Sequence, residues 1–161
     1  MFALLAPAAA REPSVAKVFE QFGLFGTWAI DCERKPSPDN PRVTVFRPSG
    51  AGPVTEKDDA GPGTYVNRYT IVSARPLTDN TVRVEVRYRV GKRQTQLQEQ
   101  IWFVRAGNWR TLFNKPKGES ARVKDGVVVG SGAETPVLHK CSSAALRHQA
   151  ARPWRIPRSP E

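Results

Sequence analysis

Apolar residues recur along this chain with two different periods. Near the start, Val15, Val18, Phe19 and Phe22 fall at i, i+3, i+4 and i+7 and form one stripe, the spacing of a short amphipathic helix. Ser14 stands where an N-cap belongs, and Gly23 where a left-handed residue ends a helix. A helix of about nine residues does not persist alone in water, so the stripe is expected to dock on a larger body.

From residue 26 onward the period changes to two. Trp28, Ile30 and Cys32 alternate with Ala29 and Asp31, and Val43 and Val45 mark a second run after a Pro-rich loop at 34–42. Residues 48–63, rich in Gly and Pro, read as a loop. Two longer runs, 64–74 and 81–90, join through Leu77-Thr78-Asp79-Asn80 as a hairpin. Runs at 94–105 and 109–114 turn at Ala106-Gly107-Asn108, and runs at 121–124 and 127–131 turn at Asp125-Gly126, a dipeptide that suits a two-residue hairpin. A short run at 136–141 closes the series. About nine β segments with tight turns predict an all-β antiparallel meander, and closure into an up-and-down barrel of about eight strands removes its edges.

Strand 81–90 shows its faces most clearly. Val82, Val84, Val86, Tyr88 and Val90 share one side, and Arg83, Glu85, Arg87 and Arg89 the other, so the first set is expected inside. In strand 94–104 the same reasoning sends Gln96, Gln98 and Gln100 outward and Leu97, Glu99, Ile101 and Phe103 inward. An inward Glu99 needs a partner or a function, and Arg68 is its candidate partner if Val66, Arg68, Thr70 and Val72 turn inward. A bulge that rotates Glu99 out to water is the alternative. Trp109 and Phe113 are expected to share the inner face.

The 161 residues suffice for one domain. No apolar run approaches the roughly 18 residues of a membrane-spanning helix. Lys and Arg number 25 against 15 Asp and Glu, a net charge of +10, which favours anionic surfaces as partners. The 2 cysteines, Cys32 and Cys141, lie at the ends of the first and last strands, neighbours only if the barrel closes, so a disulfide is expected. Residues 1–10, ending Ala8-Ala9-Ala10, resemble the remnant of a signal peptide, which with the disulfide predicts a periplasmic or secreted protein. The domain is then 11–143, and the Arg- and Pro-rich 144–161 form a disordered tail.

Gly26-Thr27-Trp28 opens the first strand directly after the short helix, and the meander follows. This resembles the G-x-W opening of the lipocalins and the wider calycin superfamily, which includes the avidins and a family of barrel-type inhibitors of bacterial metalloproteases. The resemblance covers roughly residues 14–141 and implies that Trp28 is structural, beneath the helix at the closed end. The lipocalin Thr-Asp-Tyr is missing; Asn67-Arg68-Tyr69 is the nearest tripeptide, and Trp102 and Trp109 do not sit in biotin-site contexts.

No catalytic set is visible. Ser142 and Ser143 lack a nucleophile elbow, His139 stands alone, and Glu56, Asp58 and Asp59 do not have calcium-loop spacing and read as a solvated turn. The chain is therefore expected to be no enzyme and to need no cofactor or metal. The expected function is a binding barrel for a small apolar or amphipathic ligand, contacted by Tyr69, Val84, Val86, Tyr88, Leu97, Glu99, Ile101, Phe103, Trp109 and Phe113. Simple core filling is the alternative for each of these. Two other functions remain open. One is a protease inhibitor or other protein-binding module acting through Arg11–Ser14; the other is a basic adaptor for an anionic envelope surface. Nucleic acid is not expected, because the strand that carries the arginines keeps its aromatic residue on the opposite face.

Overall fold

Eight strands, each antiparallel to both of its neighbours in the wall, form a barrel that closes where the last strand of the chain meets the first. The structure, a computed structural model, describes residues 13–50, 52–90 and 94–142. The leader expected at 1–10, Arg11 and Glu12 of the expected inhibitory segment, and the tail expected at 144–161 lie outside the described residues. The wall consists of β1 (Gly26–Ala29), β2 (Arg42–Phe46), β3 (Thr55–Asp59), β4 (Val66–Thr78), β5 (Thr81–Val90), β6 (Gln94–Arg105) and β7 (Asn108–Pro116). A small hairpin, β8 (Val123–Lys124) and β9 (Val127–Val128), branches from β7. The last strand, β10 (Val137–Lys140), pairs with β7 through Leu138 and Trp109 and with β1 through Lys140 and Trp28. That double pairing is the closure.

Cys32 and Cys141 form a disulfide just beyond β1 and β10, with Cα atoms 5.4 Å apart. The expected turns are present. Ala106-Gly107 and Asp125-Gly126 each have both residues at positive φ, the backbone that matches the right-handed twist of the flanking strands.

The helix α1 (Val15–Gln21) starts at Ser14, whose side chain accepts from the Lys17 amide. It ends in a Schellman motif: Gly23, at φ 63°, donates to the Glu20 carbonyl and Leu24 to that of Phe19. Phe19 and Leu24, paired by this motif, are fully buried. Val18 and Phe19 dock the helix on the barrel end, with Phe19 edge-on to Trp102 at 5.9 Å. Above them Val82, Val84 and Val86, each 0% exposed, line β5 as its alternation predicts, while Arg83, Arg87 and Arg89 point out. Each such valine contributes roughly 1.5–3 kcal/mol by leaving water.

Three expectations need correction. The segment 48–63 is not all loop: it contains β3, paired along its whole length with β2 and β4. The inner face of β6 is Gln98, Gln100, Trp102 and Val104, so Leu97, Glu99, Ile101 and Phe103 face outward. The ladder dictates this, because Val82, Val84 and Val86 lie opposite Trp102, Gln100 and Gln98, and directly opposed residues share a face. In β7 an irregularity opposite Ile101 and Trp102 shifts the register, so that Trp109 points in and Phe113, paired with outward Ile101, points out.

Candidate functional site

A cavity of about 230 Å³ lies inside the barrel, above the packed end. Its floor is aromatic. Trp109 packs in a tilted arrangement on Trp102, ring centroids 4.5 Å apart, and edge-to-face with Trp28 at 5.6 Å, and the Trp102 indole donates to Gln100 Oε1 at 2.7 Å. Trp28 itself is structural: it is buried, donates to the Leu24 carbonyl at 2.9 Å, and lies under Lys140 Nζ, 5.4 Å from the ring centroid. Lys140 Nζ in turn donates to the Gly23 carbonyl, tying β10 to the end of α1.

The walls are mixed. Val43 of β2, Leu138 of β10 and Val123 of β8 supply apolar surface. Glu56 and Asp58 of β3, Tyr69 of β4, Gln98 and Gln100 of β6 and Asn114 of β7 supply polar groups. The strand pleat explains the carboxyls. Glu56 and Asp58 are two residues apart, so both turn inward, whereas Lys57 and Asp59 form an ion pair with each other at 2.9 Å. Glu56 lies opposite Tyr69, which is why Tyr69 faces the lumen and Arg68, opposite Lys57, faces away from it.

The electrostatics of this pair are unusual. Burial, with the neighbouring Asp58 charge and hydrogen bond acting the same way, pushes the Glu56 carboxyl far above its ordinary range. Burial also pushes Asp58 up to about 6, against a hydrogen bond with Glu56 that lowers it. The Tyr69 phenol is raised too, by burial and then by the charges of Asp58 and Glu56, and stays neutral. Apart from each other, the two carboxyls leave Glu56 Oε2 and Asp58 Oδ1 without a donor among the described residues, and Asn114 Oδ1 is likewise unpartnered. The Trp109 indole N–H, on a residue 3% exposed, meets no acceptor.

Of the ligand contacts read from the sequence, Tyr69 and Trp109 line the cavity. Tyr88 packs on Tyr69 at 5.6 Å, and its hydroxyl is held by Gln96 at 2.8 Å. Val84 and Val86 fill the core. Leu97, Glu99, Ile101, Phe103 and Phe113 belong to the outer wall, and Glu99 pairs there with Arg83 at 3.1 Å rather than with Arg68. The sequence reading missed Glu56, Asp58, Gln98, Gln100 and Asn114. One signal for β3 was available: a nine-strand meander closed on itself would pair its first and last strands parallel, whereas an even count keeps every pair antiparallel. The chain matches no family model, no curated protein and no solved structure.

Proposed function

We propose that this barrel is a binding protein, lipocalin-like in its use of the lumen, that holds one small amphipathic molecule. The observation that carries the proposal is a set of buried polar atoms around one cavity that are poorly satisfied among the described residues: Glu56 Oε2 and Asp58 Oδ1, which have only each other, and Asn114 Oδ1 and Trp109 Nε1, which have no partner. An unsatisfied buried polar group costs roughly 1–3 kcal/mol, so a fold built only for packing would gain by replacing these side chains with apolar ones. A bound molecule that meets them offsets the cost. The volume limits its size. An apolar cavity of about 150 Å³ takes up benzene, so a lumen of about 230 Å³ suits roughly ten non-hydrogen atoms and not a long lipid.

The placement of Gly26-Thr27-Trp28 beneath the helix supports the lipocalin resemblance, and the Cys32–Cys141 bridge supports a periplasmic or secreted location. Binding and release, with no chemical step, is the whole of the proposed activity. Native mass spectrometry of protein purified from its own host, compared with the same sample denatured, tests it. A native series heavier by one small molecule is expected. A native mass equal to that of the bare chain, with no small molecule released on denaturation, would overturn it.

A further inference from the structure

We infer that the molecule held in the lumen is a small organic cation, an ammonium or amidinium group on a short apolar body, seated against Glu56 and Asp58. The inference rests on the lumen being a binding site and adds the chemical class of its occupant.

The hydrogen-bond inventory of the cavity sets that class. Among the described residues Glu56 Oε2 and Asp58 Oδ1 have no donor but each other and Asn114 Oδ1 has none, against one donor without an acceptor, the Trp109 indole N–H. A complementary molecule is therefore rich in N–H donors and carries at most a minor acceptor. The Trp109 N–H is an observation independent of the acidic pair: it belongs to a different strand, on a buried residue that lines the same cavity, and has no acceptor among the described residues. Glu56 is 6% exposed, and among the described residues no basic side chain lines the cavity to neutralise it. The acidity is local to the lumen, because the whole chain carries a net charge of +10.

A metal ion fits less well. Divalent cations of the calcium or magnesium kind ask for six or more oxygen ligands, and among the described residues no group of three or more His, Cys, Asp and Glu converges. The cavity is also far larger than a bare ion, and Val43, Val123, Leu138 and the Trp109 ring give it surfaces that suit carbon. An aromatic face beside two carboxylates suits an organic cation on both counts.

Cation binding must move protons. The titratable groups that face the cavity are Glu56 and Asp58 from β3 and Tyr69 from β4; the facing groups of β6 and β7, Gln98, Gln100, Trp109, Thr111 and Asn114, carry no charge, and Val43 and Leu138 of β2 and β10 are apolar. With both carboxyls raised and adjacent, the pair keeps a proton to higher pH than two solvated carboxyls do. Entry of a preformed ammonium ion stabilises the ionised pair, and the displaced proton leaves to solvent. Affinity accordingly rises as pH rises through about 6, where Asp58 ionises, and is accompanied by proton release.

The test is isothermal titration and thermal shift with matched probes: benzylammonium and 2-phenylethylammonium, the alcohols of the same skeletons, and benzoate. Binding of the ammonium probes at least tenfold tighter than the alcohols, no binding of benzoate, and proton release seen by changing buffer ionisation enthalpy are the expected results. Glu56→Gln and Asp58→Asn, which keep shape and remove charge, should each weaken ammonium binding at least tenfold, while Glu99→Gln on the outer wall leaves it unchanged. Equal or tighter binding of the alcohols or benzoate would overturn the cation while leaving lumen binding intact, as would a neutral or anionic molecule recovered with the native protein. Failure of every probe, with a native mass equal to the bare chain, would overturn both.

Discussion

Val86 and Gln98 lie directly opposite each other in the β5–β6 ladder, and both point into the barrel. A valine that fills the core and a glutamine at the edge of a polar lumen thus share one face, and the boundary between packing and binding runs through this pair. Replacing Val86 by Ala removes fully buried methyl groups and should cost about 1–3 kcal/mol in urea unfolding. Replacing the exposed Arg87 by Gln should leave stability within about 0.5 kcal/mol.

Gln100 gives a sharper check of the same register. Its Oε1 accepts from the buried Trp102 indole at 2.7 Å, so Gln100→Ala strands a donor in the core. The expected cost is about 1–3 kcal/mol by chemical denaturation. A Gln100→Ala variant as stable as the parent would mean that β6 turns its other face inward.

Glu99 behaves as a surface residue. Its pair with Arg83 leaves the two side chains 44% and 41% exposed, where solvent screens the attraction. Glu99→Gln should change stability by about 0–1 kcal/mol in the same unfolding assay, and less at high salt.

Much of the frame was legible in the sequence, and what was not is concentrated at the lumen. The cap at Ser14, the Gly23 terminator, the faces of β5 and the Cys32–Cys141 bridge follow rules in which apolar means buried and turns carry special residues. Those rules fail where an inward face is polar. The five residues of β3, Thr-Glu-Lys-Asp-Asp, contain no apolar side chain and look like a loop, yet they pair on both sides. In β6 the apolar side chains Leu97, Ile101 and Phe103 suggest an inward face and the glutamines an outward one, and a slip of one residue exchanges the two faces. Local rules that break at one place mark a site that packing alone does not explain.

The disulfide closes a long loop, with a sequence separation of 109. Its removal in a Cys32→Ser, Cys141→Ser double variant should destabilise the fold by roughly 4–5 kcal/mol in the chain-entropy picture. Comparison of urea midpoints for the parent and the double variant reads this directly. A difference under about 1 kcal/mol would mean that the β1–β10 and β7–β10 ladders hold the closure unaided.

Stability should fall as pH rises through the acid range. The folded state favours the protonated Asp58 carboxyl, held at about 6 against an unfolded value of about 3.9. The favourable contribution is present below about pH 4, is lost between about 4 and 6, and stays absent above. Its size is about 3 kcal/mol. Glu56 acts in the same direction and carries the loss to higher pH. Glu56→Gln with Asp58→Asn should flatten this slope and raise the melting temperature near neutral pH.

Titration of the Glu56 and Asp58 side-chain carboxyl carbons by NMR in the unliganded protein bears most directly on two acids turned into the barrel. Asp58 should titrate near 6 and Glu56 well above its ordinary range, each resonance responding to ionisation of the other. Two independent transitions near 4, as in a solvated loop, would contradict the inward face of β3 and the binding site built on it.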